Sequence, residues 1–129
     1  MIVANLELPL TYHGLNSRLG NRLHLTLCRN TKAVRLRGGW IAIYYYATAI
    51  LCYFPDGEIV VQAYNSVSTR YRKFLGNIAR VYTMHSQLVI ALTLSPDTDL
   101  KRDYYFFDKH GEFRISGAYL NVMRLAGYL

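Results

Sequence analysis

Apolar residues recur at every second position through most of this chain, and at helical spacing in one segment. In Leu23–Cys28 (LHLTLC) the side chains of Leu23, Leu25 and Leu27 share one face, the period of a half-buried strand. Arg29-Asn30-Thr31-Lys32 reads as a turn. Ala33–Arg37 continues the antiparallel pattern, with Val34 and Leu36 inward and Arg35 and Arg37 outward. Gly38-Gly39 breaks it. The next run, Ile41 to Phe54, is apolar on both faces and rich in β-branched and aromatic residues, which favours strand over helix. Strands average about five or six residues, so this run predicts one long bent strand or two strands hinged near Ala47-Thr48. Pro55-Asp56-Gly57 then makes a turn, because proline fixes φ at the first corner and glycine supplies positive φ at the last. Glu58–Ala63 returns as a strand with Ile59, Val61 and Ala63 on one face.

The period then changes. Tyr71, Phe74, Leu75 and Ile78 fall at i, i+3, i+4 and i+7, the stripe of a helix packed on a core. A helix over about 68–80 is expected, capped by Ser66 or Ser68. Arg70, Lys73, Asn77 and Arg80 make a second stripe, with Arg72 beside it. Gly76 weakens the helix by about 1 kcal/mol relative to alanine, which predicts a short one. Val81–His85 and Leu88–Leu94 read as a strand pair around Ser86-Gln87, and residues 95–99 as a loop. Tyr104–Phe107 and Phe113–Ile115 read as a last hairpin, and Tyr119–Leu125 as a short C-terminal helix. Residues 1–22, punctuated by Pro9, Gly14, Asn16, Gly20 and Asn21, read as an extended arm with turns. One echo stands out. Residues 53–59 and 106–113 both run aromatic strand, turn with Asp and Gly, Glu, then an apolar residue, a pattern that ordinary hairpin chemistry or a duplication would produce. The fold class is α+β: a mostly antiparallel, twisted sheet of about six to eight strands with one central helix.

Length and charge narrow the partners. At 129 residues the chain is one domain with enough length to bury a core. Fifteen Lys/Arg against eight Asp/Glu leave a net charge of +7 and a pI near 9.6, which draws a small domain to polyanions. A hydrophobic content of 52% with 12 tyrosines argues against disorder. Cys28 and Cys52 lie in apolar strand-like runs and read as buried free thiols, since free cysteine packs as a small hydrophobe. The first residues lack the basic and apolar regions of a signal peptide. The longest apolar run, Trp40 to Phe54, has 15 residues, short of the roughly 20 a membrane helix needs. A cytoplasmic protein without membrane partners is expected.

Candidate chemistry is sparse. His13, His24, His85 and His110 are dispersed without zinc-ligand spacing. Gly38-Gly39 lacks the Lys-Ser/Thr of a phosphate-binding loop, and no Gly-x-Ser-x-Gly elbow exists. The acids Asp97, Asp99, Asp103 and Asp108 lie beside Lys101, Arg102 and Lys109, where turn roles and ion pairing account for them. No cofactor, metal or catalytic set is expected. An enzymatic alternative is metal-independent RNA cleavage by Tyr71, Arg70, Arg72 and His85, which has the raw materials for proton transfer and phosphate stabilisation. A third reading takes Tyr44-Tyr45-Tyr46 as a protein interface, including a homodimer, because tyrosine suits surfaces that are apolar at one end and wet at the other. In Arg70-Tyr71-Arg72-Lys73-Phe74 cations interleave with aromatics, the materials of a nucleic-acid face. Helical spacing, however, assigns Tyr71 and Phe74 to the core stripe.

Several of these residues fall into a pattern. Leu19-Gly20-Asn21, Ile41-Ala42-Ile43, Thr48 with Ile50, Phe54-Pro55-Asp56-Gly57, Tyr64, Ser66, Ser68-Thr69 and Arg72 resemble a loose group of small phage-encoded proteins of uncharacterised function. The resemblance centres on residues 41–75. It departs at Tyr64, which stands where the group has tryptophan, and no glycine precedes it. It implies a bacteriophage or mobile-element origin and no particular activity. Phage accessory proteins of this size are often inhibitors of host machinery, an analogy rather than a site argument. The expectation is therefore a non-enzymatic binding protein. It would engage nucleic acid, or the acidic surface of a host nucleic-acid-handling complex such as a CRISPR defence. The expected surface is Arg70, Arg72, Lys73 and Arg80 with Arg35, Arg37 and Tyr64.

Overall fold

Strands adjacent in sequence lie side by side along most of the chain, as the repeated tight turns require. The computed structural model describes residues 7–64, 68–84, 87–93 and 104–129. Ser66, Leu94, His85, Ser86 and the 95–99 loop lie outside them, as do Asp97, Asp99 and Asp103. The elements are α1 (Tyr12–Leu19), β1 (His24–Cys28), β2 (Thr31–Arg35), β3 (Ile41–Tyr45), β4 (Thr48–Tyr53), β5 (Ile59–Gln62), α2 (Ser68–Leu75), β6 (Ala79–Met84), β7 (Gln87–Leu92), β8 (Tyr104–Phe106), β9 (Glu112–Ile115) and α3 (Gly117–Leu125). The fold is α+β. A six-stranded antiparallel sheet runs β1-β2-β3-β4-β5-β9, and a three-stranded sheet runs β6-β7-β8. The large sheet turns Ala33, Ile41, Ile43, Leu51, Ile59 and Ile115 into one core, which they share with residues of all three helices and of the small sheet.

The long apolar run resolves into two strands. β3 and β4 are joined through Tyr46-Ala47, with Tyr45 opposite Thr48. A register shift after Ile43 leaves an extra residue in β4, the bend a bulge produces. Phe54, Asp56 and Glu58 close the next turn, where the Asp56 carboxylate accepts from the Glu58 amide at 2.9 Å.

Five expectations are corrected. The N-terminal segment holds a helix, α1, where an extended arm is expected. The Thr11 hydroxyl accepts from the Gly14 amide at 3.1 Å, and Leu15 and Leu19 bury a four-residue stripe. This local capping outweighs the Gly and Asn that suggested turns. The central helix stops at Leu75 rather than near residue 80. Gly76 adopts φ +52°, and a Cβ there would lie 3.2 Å from Pro9 Cβ, so the glycine ends the helix and admits the segment whose Leu10 amide donates to Phe74 at 2.8 Å. Ile78 and Arg80 consequently leave the helix. The faces of β2 are opposite to those expected: Ala33 and Arg35 face the core side, opposite Ile43 and Ile41, because buried Ala33 sets the parity. The final hairpin turn forms, with Asp108 donating its amide to Glu112 at 2.9 Å. Its arms, however, belong to different sheets, β8 to the small one and β9 to the large one. The C-terminal helix begins two residues earlier, capped by Ser116, which accepts from the Tyr119 amide at 3.1 Å.

Candidate nucleic-acid interface

Two tight turns meet at one end of the large sheet. Arg29-Asn30 joins β1 to β2 and Tyr46-Ala47 joins β3 to β4, and the Tyr46 amide donates to the Asn30 carbonyl at 2.9 Å. Both Asn30 (φ 60°) and Tyr46 (φ 54°) are left-handed. Asparagine tolerates that region, whereas a bulky side chain there is an outlier.

Helix α2 delivers Arg70 to these turns. Its Nε donates to Thr31 Oγ1 at 2.7 Å and its Nη2 to the Arg29 carbonyl at 3.0 Å. The guanidinium carbon lies 4.3 Å from the Tyr45 ring centroid. Tyr45 in turn meets Tyr46 edge-on at 4.7 Å and Tyr64 at 6.2 Å. A guanidinium has five N–H donors, so the two used here leave the rest for an outside acceptor. The helix is held for this by Tyr71, Phe74 and Leu75, all fully buried. The Tyr71 hydroxyl donates to the Gln62 carbonyl, and burial pushes its phenol well above the usual tyrosine range. Tyr71 and Phe74 are thus core residues, not stacking surfaces.

The expected site residues separate. Arg70 and Tyr64 come together around Tyr45. Arg72 is exposed and Lys73 half-buried on α2. Arg80 sits on β6 opposite Ala91, so it shares no helix face with Arg70. Arg35 is tied down, donating to Asn16 Oδ1 at 2.7 Å and the Gly20 carbonyl at 3.1 Å, where it fastens α1 to the sheet. Arg37 is exposed in a single 3-10 turn, Arg37–Gly39. The side chains of Arg37, Arg72, Lys73 and Arg80 form no hydrogen bond or ion pair with the described residues.

Sequence reasoning missed Arg29 and Lys32 as site residues and weighed Tyr45 and Tyr46 only as part of a protein interface. Arg29 and Lys32 are exposed at the turns, and a shallow depression of about 250 Å³ opens between Thr26, Asn30, Thr31, Lys32 and Tyr46. One signal would have pointed here: residues 8–55 contain six Arg/Lys and no Asp or Glu. The described acids lie elsewhere. Glu58 and Glu112 pair with Arg114 at 2.9 and 3.4 Å, at the β5–β9 edge. Asp108 accepts from the amides of Glu112 and His110, and these hydrogen bonds, the Glu112 one foremost, hold its carboxyl below the usual range. Cys52, half-buried, has its thiol raised chiefly by burial, against the opposing pull of Arg114. Cys28 and Cys52 are free thiols. Among the described residues no three His, Cys, Asp or Glu side chains gather to hold a metal ion, and no helix is long and apolar enough to cross a membrane.

No known protein family matches the chain, and no curated protein or solved structure matches it either.

Proposed function

We propose that this is a non-enzymatic binding protein that engages nucleic acid through the corner where Arg70 meets Tyr45. The observation that carries the reading is the stacked guanidinium with spare donors at the turn that carries exposed Arg29, with exposed Lys32 on the other face of the same sheet end, in a stretch without acids. Lys73, one turn along α2 from Arg70, extends the basic face. Cations neutralise phosphates and release counterions, and Tyr46 and Tyr64 offer ring surface beside them. The residues that form the corner include no carboxylate and no histidine, the commonest proton-transfer groups. The phage-type resemblance extends the proposal to a host nucleic-acid-handling complex as the setting, with inhibition of a host defence as the outcome.

Fluorescence anisotropy with labelled oligonucleotides at two salt concentrations tests it. With about three phosphates neutralised on duplex DNA, affinity falls about 40-fold between about 50 and 200 mM salt. Combined Arg29→Ala, Lys32→Ala and Arg70→Lys substitutions should remove most of that dependence. Absence of binding at micromolar protein and low salt, or binding indifferent to salt, sinks the reading. Recovery of a defined host complex by pull-down with the wild-type chain, lost with the triple variant, would identify the setting.

A further inference from the structure

The large sheet has a second face, turned away from the core. Pairing registers place Lys32 and Val34 of β2 on it, opposite Tyr44 and Ala42 of β3. Cys52 of β4 lies opposite Ala42, and Val60 of β5 opposite Cys52. Trp40 and Phe54 continue this face just beyond β3 and β4, with ring centroids 4.5 Å apart. None of these residues belongs to the core cluster. Trp40 is 43% exposed, and Tyr44, Cys52 and Phe54 are half-buried. Ala42 and Val60 are themselves buried on this face, so the open part is the ring surface of Trp40, Tyr44 and Phe54 with Cys52, and exposed aromatic surface of this kind marks a contact site.

Its chemistry selects among partners. A second copy of the chain would set cations of one sign against each other, since this side of the sheet carries Lys32 at one end of β2 and Arg37 beyond the other, within a stretch of 48 residues (8–55) that has no acid. Like charges face to face oppose association. A duplex hides its base faces and offers phosphates. Unpaired bases offer both ring faces and phosphates, and ring-bearing platforms beside cations suit them. Trp40, extended just before β3, and Tyr44 within it are four residues apart, a span of about 13 Å, with the small Ala42 between them. That length takes a short run of nucleotides rather than a single base. Arg114, paired with Glu58 and Glu112, closes the platform on the β5–β9 side, so the backbone track lies along β1–β3.

We infer that this outer face is a stacking platform for single-stranded nucleic acid, with Trp40, Phe54 and Tyr44 contacting bases and Lys32 and Arg37 contacting phosphates. The inference rests on the nucleic-acid reading above and specifies the strandedness of the ligand.

Trp40 is the chain's single tryptophan, so its fluorescence reports directly on the face. The full chain is titrated with an oligothymidylate and with a duplex of equal length. Expected are quenching by the single strand only and tighter binding of it than of the duplex. Trp40→Ala should weaken single-strand binding about 10-fold and leave duplex binding unchanged. Tyr44→Ala, read by anisotropy with circular dichroism as the fold check, should act in the same direction. Arg37→Ala, at a residue outside the corner, should flatten the log–log salt slope by about 0.7. Equal binding of the duplex with unchanged tryptophan emission would overturn the platform while leaving the corner reading intact. Failure of both oligonucleotides to bind would remove both. A concentration-dependent tryptophan shift accompanied by dimer formation in sedimentation would assign the face to self-association and overturn the platform.

Discussion

Arg70 stands 4.3 Å above the Tyr45 ring while its Nε–H donates to Thr31 Oγ1. One side chain thereby ties α2 to both hairpin turns. The stacked contact contributes about 0.5–1 kcal/mol, and each hydrogen bond about 1 kcal/mol. Arg70→Ala is expected to lower stability by about 2 kcal/mol in urea unfolding. Arg70→Lys keeps the charge but loses the planar fork, so more than half of that loss should remain. A lysine variant as stable as the wild type would show that charge alone matters.

Tyr46 tests whether the turn serves the fold or the ligand. Its left-handed backbone costs about 1 kcal/mol, and its edge-on contact with Tyr45 returns about the same. Tyr46→Asn removes both terms, because asparagine tolerates φ > 0. Thermal unfolding should therefore shift by less than about 0.5 kcal/mol in equivalent stability, while oligonucleotide affinity falls several-fold. A large stability loss with unchanged affinity would make Tyr46 a folding residue only.

Gly117 opens α3 against the turn after β4. A Cβ there would lie 2.5 Å from the Asp56 carbonyl oxygen, a backbone atom that has no rotamer to escape into. Gly117→Ala should cost about 2 kcal/mol, the range of core overpacking, and lower the melting temperature by several degrees. An unchanged melting temperature would mean that α3 shifts freely away from the turn.

Tyr53 is fully buried, and its hydroxyl finds no hydrogen-bond partner among the described residues. Burial raises its phenol, and that of Tyr71, well above the ordinary value. A folded-state value above the unfolded one leaves stability intact below about pH 10 and erodes it as pH rises past that point. Unfolding in urea at pH 8, 10 and 11 reads this directly. Tyr53→Phe removes an unsatisfied polar group, so it should stabilise by about 1 kcal/mol at pH 8. It should also reduce the alkaline loss. A destabilised phenylalanine variant would mean that the hydroxyl has a partner.

Much of the fold is legible in the chain because burial writes its period onto strands. The alternation in Glu58–Ala63, the hinge near Ala47 and the buried stripe of Tyr71, Phe74 and Leu75 all correspond to observed elements. What eludes pattern reading is decided by single contacts. Gly76 ends α2 three residues before Ile78, although Ile78 keeps the helical spacing. The Thr11 hydroxyl nucleates α1 in a segment whose Gly14 and Asn16 look like turn residues. Ala33 reverses the parity of β2 because a small side chain in a polar context gives no apolar signal. The site is less legible still. Arg70 and Tyr64 come together in space, but Tyr45 joins them only through a hairpin register, and Arg35 is spent on α1. Lys32 reaches the same end of the sheet through strand pairing, which no local spacing encodes.

The partition of charge across the large sheet has a kinetic consequence. Cations crowd the β1–β3 side while Glu58 and Glu112 sit at β5 and β9, between about 10 Å (β3 to β5) and about 24 Å (β1 to β9) away at about 4.8 Å per strand. Among the described residues, the large sheet therefore carries an electric dipole along its width. In the field of a polyanion that dipole exerts a torque before any contact forms, turning the β1–β3 edge forward during the diffusive approach. Encounter then selects one orientation, and the fraction of collisions that are productive rises as ionic strength falls.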